Sequence, residues 1–91
     1  MLVAYDVVCD RRRERLATLL SGHGDRIQYS VFLVEAKPAR LLRLRARITA
    51  EVDLSQDSVL MCDLGAGGEA FERMDWIGQA RAFTTPGSMV I

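Results

Sequence analysis

Asp6 interrupts an apolar run, Leu2-Val3-Ala4-Tyr5-Asp6-Val7-Val8. A carboxylate inside such a strand is expected to be desolvated, and so to need a partner, a metal or a task. Arginines follow at Arg11, Arg12, Arg13 and Arg15, and Arg26 precedes a second run, Ile27-Gln28-Tyr29-Ser30-Val31-Phe32-Leu33-Val34. Together these residue types suit the binding or hydrolysis of a phosphodiester. A lone aspartate does little to such a bond, but paired carboxylates can hold Mg2+ (or Mn2+), which keeps several waters as potential nucleophiles. Arg13, Arg15 and Arg26 would then hold the flanking phosphates, and Tyr5 or Phe32 would stack on a base. Other readings of these residues stay open. A strand-end aspartate also caps a following helix or pairs with an arginine across an interface, and an arginine run is often a solvated helix start. Four arginines near a helix N-terminus oppose its dipole, however, which favours an anionic partner.

The first strand is apolar on both faces, Val3, Tyr5 and Val7 alternating with Leu2, Ala4 and Val8, as expected of a strand covered on both sides. Asp10 is placed to N-cap a helix from about Arg11, with Leu16, Leu19 and Leu20 as its inward stripe. Within Ser21-Gly22-His23-Gly24, Gly22 would be a left-handed cap and His23 an exposed loop residue. In the second strand Ile27, Tyr29, Val31 and Leu33 are expected against the helices, with Gln28, Ser30, Phe32 and Val34 on the other face. Lys37-Pro38 opens a second helix, where Leu41, Leu44, Ile48 and Val52 recur at helical spacing beside a stripe of Arg40, Arg43 and Arg47. A third strand is expected over Ser58 to Leu64, then a flexible glycine connection, a short helix over Glu69 to Met74, and a fourth strand around Trp76 to Gln79. Thr85-Pro86-Gly87 would turn the chain into a terminal strand, Ser88 to Ile91.

This order predicts an α+β fold, a single ferredoxin-like βαββαβ sandwich with both helices on one sheet face. The open face would carry Leu2, Ala4, Val8 and Phe32, too apolar to leave in water. A homodimer through that face is therefore expected, and it would bring two copies of Asp6 near the twofold axis.

Ninety-one residues, 49% hydrophobic and 26% charged, suit one folded domain and not a disordered chain. With no apolar run long enough to span a bilayer and no leader pattern, a cytoplasmic protein without a membrane partner is the default expectation. Cys9 and Cys62 lack metal-ligand spacing and are expected to be small buried apolar residues. Net charge is zero, but residues 1–47 carry ten basic and five acidic side chains, whereas residues 48–91 carry two and seven. Eleven of the twelve basic residues are arginine, the side chain suited to bidentate phosphate contacts. An arginine-rich side could thus face phosphates while the acidic side faces elsewhere.

Tyr5-Asp6-Val7, the arginines opening a helix, and then Gly24-Asp25-Arg26-Ile27-Gln28-Tyr29-Ser30-Val31-Phe32 resemble the CRISPR-associated protein 2 family over about the first 35 residues. The resemblance implies a ferredoxin-like homodimer, residues 1–64 forming the core fold and residues 65–91 an extension that adds to the partner's sheet. It implies a metal-dependent endonuclease acting on RNA or DNA. It also implies a part in CRISPR adaptation, the dimer bridging two copies of the CRISPR-associated integrase and holding the duplex to be inserted. Carried over residue by residue, Asp6 is the metal ligand, and Tyr5, Arg13, Arg15, Arg26, Ser30 and Phe32 are its functional neighbours. Arg11, Arg12, Arg13 and Arg15, with Arg40, Arg43 and Arg47, are the candidates for nucleic-acid contact. Val8-Cys9-Asp10 is more apolar than the family's usual stretch, and the triple arginine leaves Arg12 and Arg13 both open for one role. A toxin-type ribonuclease resembling virulence-associated protein D, or a non-catalytic ferredoxin-like binding module, would use the same fold.

Overall fold

The chain runs β1 (Leu2–Asp6), α1 (Asp10–Ser21), β2 (Gly24–Gln28), β3 (Val31–Val34), α2 (Pro38–Glu51), β4 (Ser58–Cys62) and β5 (Met74–Gly78) in a computed structural model that describes residues 1–65 and 73–80. The strands form one antiparallel sheet in the order β2-β3-β1-β4-β5. Removing β5 leaves β2-β3-β1-β4 with two crossover helices, which is the ferredoxin-like arrangement, and β5 extends it by a hairpin from β4.

Period-two alternation decides what each strand buries. On β1, Val3 and Tyr5 face the helices, and their register partners Phe32, Met61 and Val59 lie on the same side. Leu16, Leu19 and Leu20 of α1 and Leu44 and Ile48 of α2 close the core over them. Phe32 is fully buried, worth roughly 1.5–3 kcal/mol as apolar area removed from water.

The second apolar run is a hairpin and not one strand. It turns at Tyr29-Ser30, and a bulge between Arg26 and Gln28 shifts the register. The expected faces are consequently reversed. Phe32 and Val34 are buried under the helices, while Ile27, Tyr29 and Leu33 are exposed. Alternation alone cannot say which face meets the helices, and the turn and bulge between the two halves break the phase.

Smaller expectations change for local reasons. Cys9 occupies the N-cap of α1 without a side-chain cap, and Asp10, inside the first turn, pairs with Arg13 at 2.8 Å. Gly22 has φ −77° and is not left-handed. His23 is half-buried, its Nδ1 3.0 Å from the Leu19 carbonyl oxygen at the helix end. Cys9 is half-buried, whereas Cys62 is buried as expected. Pro38 stands at the start of α2 as predicted, and Arg45 on that helix pairs with Asp75 on β5.

Of the extension, residues 74–78 form β5 beside β4 of the same chain. Met74 begins that strand, and the remainder of the expected short helix falls largely outside the described residues, as do the turn at 85–87 and the strand at 88–91. No described helix is long and apolar enough to cross a membrane.

One residue needs glycine for two reasons. Gly78 has φ +82°, and a Cβ there would stand 2.3 Å from the Asp57 carbonyl oxygen, which accepts the Gln79 N–H at 2.8 Å. Gly78→Ala is expected to cost at least about 1–2 kcal/mol from the left-handed backbone alone, with the clash in addition. The midpoint of urea unfolding measures it, and an unchanged midpoint would contradict the close approach.

Candidate active site and nucleic-acid interface

Asp6 closes β1 on the face turned away from the helices. Its register partner is Ser58, and with Ala4, Leu60 and Trp76 it rims a shallow depression of about 210 Å³. The carboxylate is exposed in the single chain, contrary to the desolvation expected from its apolar neighbours. The reason lies in the layering, since both described helices cover the opposite face of the sheet. The rest of the open face is apolar as predicted, with Leu2, Ala4, Leu60 and Trp76 partly covered. Val31 and exposed Leu33 supply the part expected of Phe32, and Val8 lies beyond the strand end.

Among the described residues the buried carboxylate is Asp57, in the loop before β4, at 0% exposure. It accepts four hydrogen bonds: Val8 N–H at 3.0 Å, Asp53 N–H at 2.8 Å, and Arg12 Nε and Nη2 at 2.8 and 3.2 Å. One side chain thereby ties the end of β1, the first turn of α1 and the α2–β4 loop together. Burial pushes the Asp57 carboxyl up, but the Arg12 guanidinium and the two N–H groups outweigh it and hold it below the ordinary value. Arg12 thus has a structural partner in Asp57. Sequence reasoning passed over Asp57 because it stands among polar loop residues, Asp53-Leu54-Ser55-Gln56-Asp57, where nothing signals burial.

Arg13 takes the other direction. Its Nε and Nη2 donate to the Val7 carbonyl at 3.2 and 3.1 Å, and Nη1 donates to Asp10. The Tyr29 phenol and Asp10 favour its charged form. Arg26 donates to the Tyr29 carbonyl, and its guanidinium lies 5.0 Å from the Tyr29 ring centroid and 5.5 Å from that of Phe32. Arg13, Arg26 and Tyr29 line one groove of about 390 Å³ with Glu14, Ala17 and Thr18.

Tyr5 and Phe32 stack on each other, centroids 6.2 Å apart, in the core beneath this groove. Neither can accept a base, which corrects that expectation. Burial pushes the Tyr5 phenol up, against a lesser opposing pull from Arg26, so it stays protonated near neutrality. Ser30 lies in the hairpin turn, where its carbonyl accepts the Tyr5 N–H at 3.0 Å.

Arg15 does not join the Arg13–Arg26 groove. It lines a larger one, about 680 Å³, between α1 and α2, with Arg11, Arg47 and His23 among carboxylates of Glu14 and Glu51. Arg40 and Arg43 are exposed on α2, and Arg40 reaches towards the Gly22 carbonyl at 3.5 Å. The predicted residues thus separate into three places: Asp6 on the open sheet face, Arg13 and Arg26 at the hairpin groove, and Arg11, Arg15 and Arg47 between the helices.

A ferredoxin-like α+β protein with an aspartate closing its first strand and arginines grooved into its helical layer is the class these features define. Residues 1–70 match the family model described as CRISPR associated protein Cas2. The chain belongs to the Cas2 family. It is 32% identical to the CRISPR-associated endoribonuclease Cas2 3 of Synechocystis sp., the alignment covering 99% of this chain and 96% of that protein. To the protein of the same name in Rhodospirillum rubrum it is 36% identical, with 100% and 99% covered. Among solved structures it resembles Streptococcus pyogenes Cas2 at pH 6.5, with TM-score 0.67 and 33% identity over 70% of this chain and 83% of that one. A hypothetical protein, TT1823 of Thermus thermophilus, gives TM-score 0.62 and 37% identity, with 75% and 92% covered.

Proposed function

We propose that this chain is a CRISPR adaptation subunit that works as a homodimer, binds duplex DNA across its helical layer and bridges copies of the CRISPR integrase. The observation that carries the DNA-binding part is the groove between α1 and α2, where Arg11, Arg15 and Arg47 converge from two elements. Guanidinium groups spaced along such a groove suit successive phosphates, and they offer no base-specific readout. Dimerisation is supported by the apolar open face, since Leu2, Leu33, Leu60 and Trp76 would otherwise meet water. The integrase partnership rests on family membership.

The second activity in this reading is metal-dependent cleavage of a phosphodiester, in RNA or DNA, at Asp6. Its support is the carboxylate's place on the proposed dimer face, together with the endoribonuclease names of the two relatives. Among the described residues of one chain, no three His, Cys, Asp or Glu side chains cluster to hold a metal. Two copies of Asp6 would fit Mg2+, because Mg2+ accepts one or two carboxylates and completes its shell with water. Such an ion would lower the pKa of a bound water and neutralise charge developing on the phosphate. Asp6 would hold that ion, and the depression beside Ser58 and Trp76 would exclude bulk water once a second copy covers it.

Salt dependence of duplex binding tests the first part. Arg11, Arg15 and Arg47 changed together to alanine should weaken binding and lower the slope of log affinity against log salt by about 3, from roughly 0.9 per phosphate contact. Unchanged affinity and slope would remove the interhelical groove as the DNA surface. Integration of a spacer by the chain with its integrase tests the second part, and absence of a stable complex would sink the adaptation reading.

A further inference from the structure

Four groups lie in sequence from the core to the surface at the β2–β3 hairpin. Tyr5 stacks on Phe32 with an interplanar angle of 21°, the Arg26 guanidinium lies over Phe32, and the same guanidinium lies over Tyr29. The inner members are buried, whereas Tyr29 is 69% exposed. Tyr29 keeps that exposure with the Arg26 guanidinium against its ring. Arg26 is held by its bonds to the Tyr29 carbonyl, and the Tyr5 hydroxyl approaches that carbonyl at 3.5 Å. The outermost ring therefore stands on a fixed support, so little freedom is lost when something stacks on it.

We propose that Tyr29 is a stacking platform for an unpaired base of single-stranded nucleic acid, with Arg26 placed to hold the phosphate beside it. The inference rests on the nucleic-acid-binding reading above and adds a base-contacting residue to it. The guanidinium groups of Arg13 and Arg26 line this groove with the carboxylate of Glu14, and Asp10 pairs with Arg13 at 2.8 Å, so Arg26 is the cation left to meet an anionic backbone there. A single aromatic ring at a surface accepts only a base whose face is free. Bases inside a duplex are stacked on both faces and cannot use it. This separates the hairpin groove from the interhelical groove, where phosphate contacts suffice. It also replaces Tyr5 and Phe32, both buried, with an aromatic that a base can reach.

A fluorescent single strand carrying 2-aminopurine, and the matched duplex, distinguish the two surfaces. Wild-type protein should quench the 2-aminopurine and bind the strand. Tyr29→Ala should weaken single-strand binding by about 5- to 150-fold, the range expected for one lost base–aromatic stack, and should abolish the quenching. Tyr29→Phe should bind within about twofold of wild type, and duplex affinity should change by less than about twofold in both variants, since stacking and not the hydroxyl is at issue. Equal losses for strand and duplex, or no loss and unchanged quenching, would overturn the platform. So would a change in the size of Tyr29→Ala in solution, which would assign the ring to a contact between copies. Wild-type protein that binds neither strand nor duplex would overturn the nucleic-acid reading itself, a result separate from indifference to Tyr29.

Discussion

Asp6→Asn should reduce metal-dependent phosphodiester cleavage by at least about 100-fold, because residues that merely orient a metal ligand already cost about 10- to 100-fold. An amide keeps the shape of the side chain but loses the negative charge that holds a divalent ion. Asp6 is exposed at the end of β1, so the substitution should leave the unfolding midpoint nearly unchanged. Duplex binding should also persist, since the interhelical groove draws its cations from the helical layer on the other side of the sheet. The measurement is cleavage of labelled RNA and DNA over a Mg2+ titration, with an EDTA control. Full activity in the Asn variant would place catalysis elsewhere. Loss of DNA binding together with cleavage would show that the two faces are not independent.

The largest effect on stability is expected at Asp57. Asp57→Ala would leave the Val8 and Asp53 N–H groups without acceptors, each costing about 1–3 kcal/mol, and would leave the Arg12 guanidinium without its bidentate partner. Against a total stability of roughly 5–15 kcal/mol this is a large fraction, and the melting temperature should fall by about 10 °C or more. Asp57→Asn should be intermediate, since its amide retains one acceptor oxygen but turns an NH2 towards a donor.

The same residue sets a pH dependence. Its carboxyl sits below the ordinary aspartate value in the folded protein, so the unfolded chain binds the proton more readily. The stabilisation is present in full above the ordinary range near pH 4 and disappears as pH falls through the lower, folded value. Wild-type stability should therefore decline across that acid window, and Asp57→Asn should flatten the decline. Urea unfolding at several pH values checks the sign. A parallel decline in both proteins would show that other carboxylates govern the acid limb.

Much of the architecture was legible because it depends on local pattern. The stripe Leu16, Leu19 and Leu20, Pro38 at the head of α2, and the apolar alternation of β1 each encode an element without reference to the rest of the chain. The order of those elements was enough to imply the ferredoxin-like sandwich, an open apolar face and the position of Asp6 on a strand end. The motif from Gly24 to Phe32 carried the family.

Which side of a strand meets the helices is a relation between elements, and only the tertiary structure decided it. A turn at Tyr29-Ser30 and a bulge after Arg26 reversed the expected faces, so Phe32 went into the core and Tyr29 to the surface. Burial is likewise a property of the assembled chain. Asp6, flanked by apolar residues, is exposed because both described helices cover the other face of the sheet. Asp57, flanked by polar ones, is buried because three segments close over its loop. Among the arginines, side chains identical in sequence acquired different partners as the helix turned: Arg12 points to Asp57, Arg13 to the end of β1, and Arg11 and Arg15 to the groove shared with Arg47. Composition determined that this protein has guanidinium groups to spare for phosphate; the packing of α1 against the sheet and α2 determined which ones are free to use.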